Sequence, residues 1–223
     1  MRFSIIIGAY NQEKYLPTLV DAYYYQTFKD FEVHYCDASS KRNNWIKENT
    51  SWHYHHSKEA NLGKNLNQGI FKAKGDYCVF IMGDSYPHPK FLEIVNEYVN
   101  ENACVCGSRM QIDDNMVVQA DFRLLNGSIP PDPAILPKEP YNLITGNGLV
   151  VPTKALKEIG GWPELKGYGG DDNILAAKLY KRGYVFFSVP QAIIYHFYHK
   201  EHFSDEKRQK FVKKTIKKIL SGN

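Results

Sequence analysis

Apolar residues along this chain recur with two periods, and the switches between them mark its elements. Phe3 to Ile7 is a run rich in β-branched residues, broken at once by Gly8-Ala9-Tyr10-Asn11. It predicts a buried strand ending in a loop. Leu16, Leu19, Val20 and Tyr23 then recur at helical spacing, with Pro17 in the first turn where proline is tolerated. Phe31 to Tyr35 reads as a second strand, closed by Cys36-Asp37-Ala38-Ser39-Ser40. Strand, helix, strand in this order predicts a βαβ unit and hence parallel pairing.

Residues 41–60 are polar and receive no element. Leu62, Leu66 and Ile70 follow at i, i+4, i+8, a short helix stopped by Lys74-Gly75-Asp76. Tyr77 to Met82 is a third, continuously apolar strand running into the turn-rich GDSYPHP, and Phe91 to Val99 is an amphipathic helix. The middle reads as irregular. Its IPPDPAILPKEP stretch, with five prolines in twelve residues, is assigned to a surface loop and to no regular element. Strand-like patterning resumes at Leu143. The stretch from Thr145 to Val151 is extended, and Thr153 to Ile159 is a short helix ended by Gly160-Gly161. A helix from about Asp172 to Arg182 is stopped by Gly183, Tyr184 to Val189 is a strand, and Ile193 to Tyr195 is extended.

Composition narrows the class. With 223 residues, 43% hydrophobic and 23% charged, the chain is an ordinary globular one, large enough to be stable without disulfides. Its four cysteines lack CxxC spacing and read as reduced, buried residues of a cytosolic protein. No apolar run is long enough for a transmembrane helix, and the first residues do not form a signal peptide. The net charge of +4 is uneven: residues 201–223 hold seven Lys/Arg against three Asp/Glu, so the first 200 residues are neutral. That argues against a nucleic-acid partner. In the same tail Phe211, Val212, Thr215, Ile216, Ile219 and Leu220 share one helical face. This fits a helix lying on anionic lipid and equally a terminal helix packed on the domain.

Four groups could carry chemistry. Asp37, at the end of the second strand, suits a carboxylate that accepts hydrogen bonds from a nucleotide base or ribose, or a turn residue before Ser39. Asp84, at the end of the most apolar strand, is placed either to hold Mg²⁺ or Mn²⁺ against phosphate oxygens or to make a turn. Asp171-Asp172 follow Tyr168-Gly169-Gly170 at a helix N-terminus, where a general base or a plain N-cap pair would both sit. His196, His199 and His202 are spaced for metal ligation, with no fourth ligand named by the sequence. The upstream His53, His55 and His56 read as a solvated polar segment.

Together these stretches resemble the family-two inverting glycosyltransferases of the GT-A fold, over nearly the whole chain. FSIIIGAYNQEKYL is similar to that family's opening strand and nucleotide loop, and QTFKDFEVHYCDASS to its second strand. NLGKNLNQGIFKAKGDYCVFIMGDSYPHPKFL resembles the segment ending in the metal-binding DxD. The segment from Gly146 to Tyr184 resembles the acceptor side of galactosyl- and N-acetylhexosaminyl-transferases, with Tyr168-Gly169-Gly170-Asp171-Asp172 at their Trp-Gly-Gly-Glu-Asp motif. Met82 stands where the first Asp of DxD is usual, and no arginine lies between Gly63 and Asn67.

The resemblance implies an α/β fold, a mostly parallel mixed sheet flanked by helices in one domain. Residues 1–105 would form the nucleotide-sugar half and 106–200 the acceptor half, followed by a basic amphipathic helix over 201–223. It implies a UDP-sugar donor contacted by Ala9, Tyr10, Asn11, Glu13, Asp37, Asn67, Gly83, Asp84 and Asn147. Mn²⁺ or Mg²⁺ would be held by Asp84 with His196 and His199. Asp172 would be the base and Asp171, Trp162, Tyr168 and Gly170 would face the acceptor, with Trp162 or Tyr168 stacking on a sugar. The implied acceptor is a glycan or a lipid-linked glycan in polysaccharide biosynthesis, which agrees with a cytoplasmic protein resting at the inner membrane face. The competing reading, prompted by Met82, is a binder of nucleotide-sugar or glycan that does not turn it over.

Overall fold

The computed structural model describes residues 1–119, 132–136, 139–167, 169–197 and 206–222. Ten strands among them join in one sheet. They are β1 (Phe3–Ala9), β2 (Phe31–Asp37), β3 (His53–His56), β4 (Tyr77–Met82), β5 (Ser85–Pro87), β6 (Ala103–Ile112), β7 (Val118–Gln119), β8 (Ala134–Ile135), β9 (Leu149–Pro152) and β10 (Val185–Phe197). The order is β3-β2-β1-β4-β9-β6-β10-β5, with β7 on β6 and β8 on β10. Pairings β1–β2, β1–β4, β2–β3 and β6–β10 are parallel, whereas β9 runs antiparallel between β4 and β6. The mixed α/β sheet expected from the sequence is therefore present.

The helices are α1 (Leu16–Tyr24), α2 (Trp45–Asn49), α3 (Leu62–Ile70), α4 (Phe91–Tyr98), α5 (Thr153–Glu158), α6 (Asp171–Lys181) and α7 (Glu206–Ser221). They cover both faces of the sheet. On β1 the alternation of side chains splits the core: Phe3, Ile5 and Ile7 join the α1 and α4 side, while Ile6 joins Leu66, Phe80, Trp162 and Leu175 on the side of α3, α5 and α6. Each such fully buried side chain contributes roughly 1.5–3 kcal/mol relative to exposure.

The structure departs from the sequence reading in four places. Residues 41–60 hold α2 and the parallel edge strand β3. The supposedly irregular middle begins with β6, a ten-residue strand between β9 and β10. Ala134 and Ile135, inside the proline-rich stretch, pair with Ser188 and Phe187: proline removes a donor only at its own position, so residues lying between prolines can still pair. Val185–Val189 and Ile193–Tyr195 belong to one strand, β10, which crosses Pro190 by a register shift between Val189 and Ile193.

The apolar stripe of the tail exists, but it faces inward. Val212 and Ile216 are buried, and Ile219 and Leu220 pack on the same core cluster as α6. Gly170, at φ +79°, has no room for a side chain because Val212 presses on it. The face expected to meet lipid is thus occupied by the domain itself, leaving Phe211 exposed and the lysines in solvent. No helix among the described residues is long and apolar enough to cross a membrane. All four cysteines are free and buried, and burial raises their thiol pKa values.

Candidate active site

The parallel strands β1, β2 and β4 end along one edge of the sheet, where ligands of open α/β sheets bind. Ala9 and Asp37 are register partners there, and Gly8 pairs with Met82. Two bonds tie the first loop to the second: Asn11 N–H donates to Ser39 Oγ (2.8 Å) and Ala38 N–H to Ala9 O (2.9 Å). Asn11 adopts φ +54°, a conformation asparagine tolerates better than most residues. Tyr10 is exposed beside it, and Glu13 opens the 3₁₀ turn that leads into α1.

Asp37 is buried, and its carboxylate is held from two sides. Ser39 N–H donates to Oδ1 (2.8 Å) and Tyr54 Oη donates to Oδ2 (2.7 Å). Tyr54 comes from β3, so its part in the site was invisible while residues 41–60 had no element. Burial and the neighbouring acid push the Tyr54 phenol up to about 12, so it remains a donor.

Gly83 continues the rim. A side chain here would collide with Gln12 and Ala9, so glycine is what lets the β4 loop close on the β1 loop. Asp84 and His196 are both buried and face each other, Asp84 Oδ1 to His196 Nε2 at 3.6 Å. The antiparallel β5–β10 pairing, with Ser85 opposite His196, makes that meeting. Phe197 N–H also donates to Asp84 O at 3.0 Å. A stacked Tyr15–Phe197 pair, centroids 4.5 Å apart, then brings the start of α1 to the same corner. One carboxylate oxygen and one imidazole nitrogen form a donor set that suits a divalent cation completing its shell with substrate oxygens. Met82, the last residue of β4, adds no hard ligand.

The loop Thr145–Gly148 spans the gap between this corner and α6. Asn147 accepts from Met82 N–H (3.2 Å) and donates to Ser85 Oγ (2.8 Å). Its neighbour Gly146 donates its N–H to Asp172 Oδ2 (3.0 Å), and Asn173 N–H donates to Asp172 Oδ1 (2.9 Å). Burial and the adjacent Asp171 carboxylate raise Asp172 to about 7, against these two hydrogen bonds that favour the charged form. A carboxylate titrating there is matched to accepting a proton near neutral pH. Burial raises Asp171 too, although Trp162 Nε1–H donates to its Oδ2 and the Arg208 charge lies near.

Two residues expected at the ligand lie inside the core instead. Trp162 is 2% exposed, its ring 4.6 Å from that of Phe80 and pressed against Gly146. Its indole positions Asp171 rather than offering a face to a sugar. Asn67 is also buried: it donates to Trp162 O (3.0 Å) and Glu164 Oε1 (2.9 Å) and accepts from Trp162 N–H (2.7 Å). Every polar atom of its side chain is committed to that turn. Gly170 is the left-handed residue before α6. Tyr168 and His199 lie outside the described residues.

Sequence reasoning missed Tyr54, Ser85, Gly146 and Arg208. Arg208 on α7 donates to Gly169 O (2.8 Å) and Lys166 O (2.7 Å), holding the loop in front of the two aspartates. Only the basic amphipathic pattern of the tail pointed toward it.

Known proteins resemble this chain in sequence and in fold. The model of glycosyl transferase family 2 matches residues 4–145, and that of glycosyl transferase family group 2 matches residues 132–211. An uncharacterized glycosyltransferase of Rickettsia felis is 29% identical over 176 residues, covering 70% of this chain and 28% of its own length. Chondroitin synthase of Escherichia coli is 26% identical over 234 residues, covering 86% of this chain and 34% of its own. The chain therefore spans about a third of the length of these relatives, or less. Among solved structures, S. aureus TarS 1–349 in complex with UDP-GlcNAc aligns with a TM-score of 0.75 at 19% identity, over 97% of this chain and 65% of that one. At that identity the likeness is one of fold.

Proposed function

This chain belongs to glycosyl transferase family 2, and on that premise we propose that it moves a hexosyl or N-acetylhexosaminyl group from a UDP-sugar to an acceptor hydroxyl, with inversion. The acceptor is a glycan, free or lipid-linked. One observation carries the reading: a single short loop joins the donor corner to the base. Asn147 reaches Met82 and Ser85, and Gly146 reaches Asp172. Proximity and orientation of this kind are what a two-substrate transfer needs from its protein.

In the proposed reaction Asp37 receives the base or ribose, and the Asn11 and Gly83 loops line the diphosphate. The acceptor hydroxyl gives its proton to the Asp172 carboxylate. Its oxygen bonds to the anomeric carbon from the face opposite the diphosphate, the bond from that carbon to the diphosphate breaks, and UDP leaves. Asp171, fixed by Trp162, orients the acceptor. Asp84 and His196 are the residues present to hold Mn²⁺ or Mg²⁺, which when bound would offset charge on the diphosphate.

The test is product stereochemistry. The protein is incubated with UDP-GlcNAc or UDP-hexoses and a panel of oligosaccharide acceptors, and the new linkage is read by NMR. A linkage of opposite anomeric configuration to the donor supports the proposal. Retention of configuration contradicts it. Stable UDP-sugar binding with no transfer to any acceptor favours the binder without turnover, which Met82 motivates.

A further inference from the structure

A second histidine–carboxylate cluster lies at the other end of the sheet, among the first residues of β1, β2 and β3. Glu32 and His34 alternate onto the same face of β2, and parallel pairing sets His53 of β3 against His34. Ligand-type atoms of Glu32, His34 and His53 all lie within 4.8 Å of one another. Both imidazoles aim Nε2 at one carboxylate: His34 Nε2 is 3.3 Å from Glu32 Oε1, and His53 Nε2 is 3.5 Å from Glu32 Oε2. A tetrahedral zinc ion with nitrogen and oxygen ligands at 2.0–2.1 Å separates neighbouring ligands by about 3.3 Å. The two histidine–carboxylate spacings are close to that edge, one to each oxygen of Glu32, and the ligand atoms as a set lie within 4.8 Å, so a small inward turn of the half-exposed His53 would close the site.

The surroundings are those of a prepared site. Glu32 Oε1 accepts from Ser4 Oγ (2.6 Å) and Lys74 N–H (2.7 Å), which fixes the carboxylate and leaves Oε2 toward His53. His34 Nδ1 lies 3.0 Å from His55 Nε2. With Nδ1–H donating to His55, the lone pair of His34 Nε2 faces Glu32, and a second imidazole orients the first as outer partners do in metal centres. His34 is 2% exposed, and its Nε2 has no hydrogen-bond partner of good geometry. His53 is half exposed and provides the way in from solvent.

We propose that Glu32, His34 and His53 bind a divalent transition-metal ion of the zinc class, with a solvent molecule as fourth ligand, in a structural site separate from the reaction centre. Mixed imidazole and carboxylate donors favour such an ion over Mg²⁺. The ion would staple β3, the edge strand, to β2. Because Tyr54 follows His53, it would also steady the hydroxyl that orients Asp37.

The experiment is a Co²⁺ titration of the full chain, followed by visible ligand-field absorption, with Zn²⁺ added afterwards to displace Co²⁺. An Asp84→Ala background removes the reaction centre as a source of signal. In that background one equivalent of Co²⁺ gives a tetrahedral band. Adding His53→Ala weakens binding roughly tenfold or more, and Glu32→Gln does the same. His53 is half exposed, so its variant keeps the fold, checked by circular dichroism, even where the Glu32 variant does not. Absence of a tetrahedral band in the Asp84→Ala protein overturns the proposal. So does equal Co²⁺ affinity with and without His53.

Discussion

The two ends of the sheet carry the same chemistry in opposite settings. At the carboxyl ends Asp84 meets His196, and at the amino ends Glu32 meets His34 and His53. The first pair lies among loops: the β1 loop packs on Gly83, and Asn147 arrives from the far side. The second lies under the backbone, its carboxylate fixed by Ser4 and Lys74. Both carboxylates are buried, so what separates them is position: Asp84 sits at the carboxyl edge where ligands of such sheets bind, and Glu32 sits at the amino edge, tied to Ser4 and Lys74. Location in the architecture separates function from stability more sharply than residue type does.

Substitutions sharpen this contrast. Asp84→Ala is expected to lower turnover about 10²–10³-fold, the scale for losing one group that stabilises developing charge, while the melting temperature stays within a few degrees. Glu32→Ala should do the reverse. It leaves Ser4 and Lys74 N–H buried without an acceptor, costing about 2–3 kcal/mol and roughly 4–12 °C in melting temperature, with near-normal turnover below the transition. Because the folded-state pKa of Glu32 is depressed to about 2, its contribution is present above the ordinary carboxylate range. It fades as pH falls toward 2, and the gap between wild type and variant closes in acid.

The pH dependence separates Asp172 from both carboxylates. Its raised pKa predicts an acid limb near pH 7 in the kcat/KM profile, because the base must be ionised. The stability effect has the opposite sign to that of Glu32. A raised carboxyl pKa makes ionisation unfavourable in the fold, so its cost grows from about pH 4 and is complete above 7. Asp172→Asn should therefore melt higher than wild type at pH 8 and equally at pH 4, measured by calorimetry. The smallest expected effect is that of Tyr54→Phe, which removes one hydrogen bond to Asp37. It should weaken UDP binding by about 1 kcal/mol, read by isothermal titration, without moving the acid limb.

The parts legible in the sequence were those with local patterns. The β-branched run of β1, the apolar β4, the helical spacing of α3 and the glycine-aspartate start of α6 each announce themselves within a few residues. What escaped depended on partners far along the chain. HYHH at residues 53–56 has no apolar alternation, because β3 is an edge strand whose exposed and buried positions are both polar. Its histidines gain meaning only once β2 lies beside them. The core role of Trp162 was hidden for the same reason, since nothing near it in sequence names Phe80 or Asn67 as neighbours. The tail showed its stripe clearly, but a stripe does not say what covers it; Gly170 and Val212 do.

The base assignment is tested most directly by one paired measurement on Asp172→Asn: turnover of a UDP-sugar with a competent acceptor, and affinity for UDP by titration calorimetry. The account predicts turnover reduced about 10²–10⁴-fold, the range for losing a general base, with UDP affinity unchanged. Turnover within a few-fold of wild type at pH 8, with the same UDP affinity, would contradict it and move the base elsewhere.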